Sequence, residues 1–145
     1  MSQKNIVLYA DDDADDILLV RDAFHHYTRH VELVTVEDGL EALAYLKNIS
    51  TGHEPLPCLI ILDINMPKMD GKEALIKIRA MHQFDDVPAI LFTTSSQNRD
   101  KDFARKYNAG FITKPIDVTQ MEFIARKFIE HCSDKIKKEI SAEIS

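Results

Sequence analysis

Five short apolar runs recur along the chain: "NIVLYA" from Asn5, "VELVTV" from Val31, "CLIIL" from Cys58, "AILFT" from Ala89 and "GFIT" from Gly110. Stretches with helical spacing separate them. Ile17, Val20, Phe24 and Tyr27 mark the first, Leu40, Leu43 and Ala44 the second, Ala74, Leu75 and Ile78 the third, and Phe103, Ala104 and Tyr107 the fourth. Strands alternating with helices predict a parallel sheet with right-handed crossovers, covered on both faces. The fourth helix, "NRDKDFARKYN", has a thin apolar stripe and is expected to be weakly held. Past the fifth strand, Phe128, Cys132, Ile136, Ile140 and Ile144 recur every four residues. This stripe predicts a long amphipathic helix that meets a partner or a second copy, against the alternative of a frayed tail.

The strands differ in kind. The first, third and fourth runs are almost wholly apolar, as strands buried on both faces are. The second carries Glu32 and Thr35 and the fifth is short, so these two belong at the edges. Strand order 2-1-3-4-5 meets that requirement and gives an α/β, flavodoxin-like, doubly wound five-stranded sheet with five helices. In such a sheet the switch point lies between strands 1 and 3, and ligands bind beyond the carboxyl ends of the strands there. Asp11 and Asp12 end strand 1, Asp63 ends strand 3, Thr93 ends strand 4, and Lys114 follows strand 5. Three carboxylates, a hydroxyl and an ammonium therefore share one rim.

Clustered carboxylates either share protons or hold a hard cation. Mg2+ takes oxygen ligands and would keep all three acids ionised. A carboxylate can also serve as a nucleophile, and phosphoryl transfer demands positioning and charge neutralisation above all. The other acids of "YADDDADD" read more simply: Asp13, Asp15 and Asp16 favour the positive end of the first helix, and Asp38 and Asp70, each before a Gly, read as turn residues.

Composition narrows the rest. At 145 residues the chain is expected to form one domain, with a core over about 5–131 and a helical extension or tail over 132–145. Its net charge of -6 argues against nucleic acid as main partner. No run reaches the length of a bilayer span and no signal segment opens the chain, so no membrane association and a cytoplasmic location are expected. Cys58 and Cys132 read as buried or half-buried thiols. His26 and His30 lie one helical turn apart, but nothing nearby completes a zinc ligand set. No Gly-rich phosphate loop is present.

The acidic pair Asp11 and Asp12, "LDINMPKMDG" around Asp63, "LFTTSS" with Thr93, and "GFITKP" with Lys114 and Pro115 together resemble the response-regulator receiver domain of two-component signalling. The resemblance runs from about Asn5 to about His131. It implies a phosphoacceptor, Asp63, that takes its phosphoryl group from the phosphohistidine of a sensor histidine kinase or from a phosphotransfer protein. It implies Mg2+ held by Asp12, Asp63 and the backbone carbonyl of Asn65, with Asp11 acting mainly through water. Thr93 and Lys114 would contact phosphoryl oxygens, and the Lys114–Pro115 bond would be cis. Phe111 takes the aromatic switch position and would turn inward as Thr93 moves toward the phosphoryl group.

The fourth helix, fifth strand and fifth helix would then form the output surface, which also suits a homodimer. Asn65 and Ser95 would flank the path of attacking water and so influence phosphoryl lifetime. Such proteins are signalling phosphoacceptors with self-catalysed phosphotransfer and autodephosphorylation rather than enzymes. With no output domain expected, the chain resembles stand-alone regulators of the chemotaxis type. The long connection "NISTGHEPLP", expected to be a loop through Gly52, Pro55 and Pro57, and the "SS" after Thr94 resemble the receivers that accompany phytochrome kinases. Two other readings use the same residues. A haloacid dehalogenase-type phosphatase would also use Asp63, but it needs an acid where Asn65 stands. A degenerate receiver would act only as a protein-binding module.

Overall fold

The computed structural model describes residues 5–52 and 55–144, with the side chains of residues 50–52, 143 and 144 outside that description. His53 and Glu54 of the long connection, and the Ile144 side chain of the tail stripe, thus lie outside the described residues. Five parallel strands, β1 (Asn5–Ala10), β2 (Val31–Val36), β3 (Leu59–Leu62), β4 (Ala89–Thr93) and β5 (Gly110–Thr113), pair in the order β2-β1-β3-β4-β5. The expected sheet is therefore present, with the polar second run and the short fifth run at its edges.

Alternation along the central strands splits the interior in two. Val7, Tyr9, Leu59, Ile61, Ile90 and Phe92 face one layer, where Val20, Ala23 and Phe24 of α1 (Ala14–Tyr27) pack. Leu8, Ala10, Ile60, Leu62, Ala89 and Leu91 face the other, against α2 (Gly39–Gly52), α3 (Gly71–Ala80) and α4 (Asn98–Lys106). A 3-10 turn at His82–Phe84 follows α3 and buries Phe84. On α2 the buried stripe is Ala42, Leu43, Leu46 and Ile49, whereas Leu40 and Ala44 are exposed. Of the expected stripe Leu40, Leu43 and Ala44, Leu43 alone is buried. The helix also runs on through Gly52, so among the described residues of the long connection the irregular stretch is that from Pro55 to Pro57.

The expected fifth helix is three pieces: α5 (Val118–Met121), α6 (Ile124–Ile129) and α7 (Asp134–Ile144). A spacing of four residues drifts by about 40° per step on a 3.6-residue helix, so one straight helix cannot keep the whole stripe on one side. The chain instead breaks after Ile129 and restarts, with the Lys137 amide donating to the Ser133 carbonyl at 3.1 Å. Cys132, Ile136 and Ile140 then join the β1–β3 core layer on the same chain. Glu139 of α7 accepts from the Asn5 amide side chain at 3.1 Å, pinning α7 at the amino end of β1. Thus Cys132, Ile136 and Ile140 are committed to the chain's own core and are not open to a partner. Cys58 is half-buried and Cys132 buried.

Asp13 caps α1, its side chain accepting from the Asp15 and Asp16 amides, and Asp70 caps α3 through the Glu73 amide. Asp38 is buried and accepts from the Glu41 amide at 2.9 Å, so it too serves a helix start.

Candidate functional site

At the carboxyl end of β1, Asp11 is wholly buried and both of its oxygens are engaged. Oδ1 accepts from the Asp13 amide at 2.9 Å; Oδ2 accepts from Lys114 Nζ at 2.7 Å and from the Tyr9 hydroxyl at 2.5 Å. Tyr9 lies two residues earlier on the strand and hence on the same face. Burial first, and the Asp11 charge second, push its phenol far above the usual range, so it stays a donor.

Asp63 follows β3 and is 6% exposed. Its Oδ1 accepts from the Asn65 amide at 3.3 Å and its Oδ2 from Lys114 Nζ at 3.2 Å. Burial pushes its carboxyl up to about 6, against the pull of Lys114, and the Asp11 charge adds to the rise. Lys114 also donates to Asp16 at 2.9 Å and lies 5.5 Å from the centre of the Phe92 ring. Burial alone would lower its ammonium; hydrogen bonds to Asp11 and Asp16 and the charges of Asp11 and Asp63 more than reverse that and hold it protonated.

The loop after β3 is pressed into place. A Cβ on Gly71 would collide with the carbonyl of Asp63, and the Gly71 amide donates to the Ile64 carbonyl at 3.0 Å. Within the loop Lys68 takes a left-handed φ of 63°, and the Met69 amide closes a tight turn onto the Pro67 carbonyl at 2.6 Å.

Among the described residues, one group offers three or more potential metal ligands: Asp11, Asp12 and Asp63, with one oxygen each inside a 4.8 Å span. All donors are carboxylate oxygens and Asp12 is exposed to solvent, which fits a hard divalent cation that keeps part of its water. The expected set Asp11, Asp12, Asp63 and Lys114 is thus one cluster. Thr93 lies at the end of β4, fully buried, its Oγ1 accepting from the Ser95 amide at 3.3 Å. Its carbonyl accepts from the Lys114 amide at 2.7 Å, which ties the ends of β4 and β5 together. Phe111 pairs with Leu91 and is half-buried in the same core layer, two residues before Thr93 in β4 register. The two switch positions therefore share a face of the sheet.

Some expectations change. Among the described residues no peptide bond is cis, so the Lys114–Pro115 bond is trans, the ordinary form of an X–Pro bond. Asp16, read as a helix-start acid, is a partner of Lys114. Tyr9 carried a signal: a phenol in an otherwise aliphatic strand needs a polar partner.

Residues 7–126 match the family described as the response regulator receiver domain. The chain is 34% identical over 96 residues to the response regulator Rcp1 of Synechocystis sp., covering 66% of this chain and 65% of that protein. The crystal structure of the phosphorylated cyanobacterial phytochrome response regulator RcpA matches with a TM-score of 0.79 and 31% identity, over 88% of this chain and 92% of that one. The Mn2+-bound form of Rcp1 matches with a TM-score of 0.77 and 27% identity, over 87% and 92%.

Proposed function

This chain belongs to the receiver-domain family of response regulators, and from that premise we propose that Asp63 is its phosphoacceptor and Lys114, Thr93 and a bound Mg2+ its phosphoryl clamp. The observation that carries the reading is the Lys114 ammonium bridging the buried carboxylates of Asp11 and Asp63 at the switch point of the sheet. Receiver domains bind a divalent metal and act with histidine kinases or phosphotransfer proteins. Mg2+ held by Asp11, Asp12, Asp63 and the Asn65 carbonyl would supply positive charge against the incoming phosphoryl oxygens.

The chain's own residues do the remainder. The Asp63 carboxylate oxygen forms a bond to phosphorus as the bond from phosphorus to the donor's histidine nitrogen breaks, and the imidazole leaves with that electron pair. Lys114, held protonated, neutralises charge on the transferred group, and the Thr93 hydroxyl turns from the Ser95 amide to donate to it. The space left beside Leu91 takes the Phe111 ring. Exposed Leu18 of α1, Ile116 and Val118 just past Lys114, and Phe123 give the donor an apolar surface around this rim. The altered α4–β5–α5 face addresses a downstream protein or a second copy. The likeness to RcpA, a cyanobacterial phytochrome response regulator, supports a phytochrome-linked kinase as donor, and we place that exchange in the cytoplasm. Among the described residues no helix is long and apolar enough to cross a membrane. The domain catalyses its own phosphorylation and hydrolysis and acts on no separate substrate.

Intact mass after incubation with a small-molecule phosphodonor tests this. We expect one phosphoryl group that requires both Mg2+ and Asp63, and none on Asp63→Asn. Addition that persists in Asp63→Asn would overturn the assignment.

A further inference from the structure

Helix α4 begins without a side-chain cap at Gln97. Its first turn instead buries a carboxylate, Asp100, whose two oxygens are both taken. Oδ1 pairs with the ammonium of Lys72 on α3, and Oδ2 accepts from the Ser95 hydroxyl at 2.7 Å. Ser95 in turn directs its backbone amide at Thr93 Oγ1, 3.3 Å away. Lys72 also lies over the Phe103 ring of α4, 5.3 Å from its centre. An unbroken chain of contacts thus runs from α3 through α4 to the hydroxyl at the end of β4.

The apolar hold on α4 is slight. Of its hydrophobic side chains, only Ala104 is fully buried, with Phe103 half-buried. For so polar a helix, a buried and doubly satisfied carboxylate is a large share of what fixes its first turn. We propose that Lys72, Asp100 and Ser95 form a latch that holds the β4–α4 loop, and Thr93 with it, in the resting arrangement. Lys72 is then a positioning residue for the switch. This rests on the phosphoacceptor reading of Asp63. When the Thr93 hydroxyl turns to a phosphoryl group it leaves the Ser95 amide, and the loop must shift against Asp100. Whatever strengthens the latch therefore disfavours the phosphorylated arrangement, and whatever weakens it raises the share of molecules ready for phosphoryl transfer.

The test uses the full chain with Lys72→Met, Lys72→Arg, Ser95→Ala and the double variant Lys72→Met/Ser95→Ala. Two quantities are read: amide exchange over residues 94–98 in the unphosphorylated protein, and the initial rate of Asp63 phosphorylation from acetyl phosphate at saturating Mg2+. Met keeps the length of the side chain but removes the charge, and with it the Asp100 pair and the ammonium's contact with the Phe103 ring. Loss of one charge-assisted contact predicts a rise of about tenfold in both quantities. Lys72→Arg should restore both to near wild type, and the double variant should go no further than the larger single change, since both break one latch. Ser95→Ala carries the test should Lys72→Met fail to fold. The latch is overturned if both single variants stay within about twofold of wild type or if their effects multiply. Wild type that takes no phosphoryl group from acetyl phosphate or from a phosphohistidine donor, while loop exchange responds as stated, would sink the Asp63 reading and leave the latch. A phosphorylated wild type with unmoved variants would sink the latch alone.

Discussion

Replacing Asp63 by Asn should stabilise the fold, and by an amount that depends on pH and metal. In the folded protein the Asp63 carboxyl is pushed from its ordinary 3.8 up to about 6, chiefly by burial. Below pH 4 the acid is protonated in folded and unfolded chains alike, and the substitution should change little. Between those two values the unfolded chain releases a proton that the folded chain keeps, so wild-type stability falls as pH rises. Above about pH 6 the full penalty is in place, about 3 kcal/mol for a shift of this size. Asn removes the charge but leaves a carbonyl oxygen for Lys114. In chelator at pH 7.5, Asp63→Asn should therefore melt higher by about 6–12 °C. With no Trp in the chain, melting followed by circular dichroism is the suitable assay. A divalent cation compensates the wild-type charge, so millimolar Mg2+ should narrow or reverse the gap. An Asn variant no more stable than wild type at pH 7.5 in chelator would refute the reasoning. So would a gain as large at pH 4 as at pH 7.5.

Lys114→Met, which strips the ammonium shared by Asp11, Asp16 and Asp63, should cost about 3–5 kcal/mol in chelator and visibly less in Mg2+; urea titrations under the two conditions measure the difference. Tyr9→Phe deletes the 2.5 Å hydrogen bond to Asp11, so a stability loss of about 1 kcal/mol is expected, with weaker Mg2+ binding by calorimetry. The Asp100 carboxyl is held below its ordinary value, first by Lys72 and then by Ser95. Its stabilising effect is present above the usual carboxylate range and lost as pH falls through the lowered value, so Asp100→Asn should be the less stable protein at pH 7, with the gap closing on acidification in melts at stepped pH. Ile140→Ala removes a side chain 2% exposed on α7; urea titration should read a loss of about 2–5 kcal/mol if that helix is part of the core.

The sheet was legible because its signals are local. Four of the five strands have the bounds of their apolar runs, and the third begins one residue inside its run, since a strand buried on both faces needs nothing but consecutive apolar side chains. The rim followed from topology alone: once the order 2-1-3-4-5 was read, the residues after four strands had to meet. Partnerships between distant residues were harder to read. Nothing near Asp16 announces Lys114, 98 residues on, and nothing near Lys72 announces Asp100. Both acids look like first-turn residues that favour a helix start, which they also are. Their second role exists only where two crossovers bring a cation alongside.

The tail makes the same point about apolar patterns. A stripe every four residues says which side chains seek burial, but not whether a straight helix or a broken one satisfies them. Here the amino end of the sheet offers the nearest apolar surface, and a break after Ile129 lets Cys132, Ile136 and Ile140 reach it. Closing that end of the molecule with its own chain separates two tasks. α7 stabilises the sheet from the end opposite the acids, so the strand ends around Asp63 can carry an excess of negative charge. That excess favours binding of a divalent cation. Stability set at one end thus offsets charge repulsion at the other, while α4 is held thinly, through Ala104, Phe103 and the Lys72–Asp100 pair.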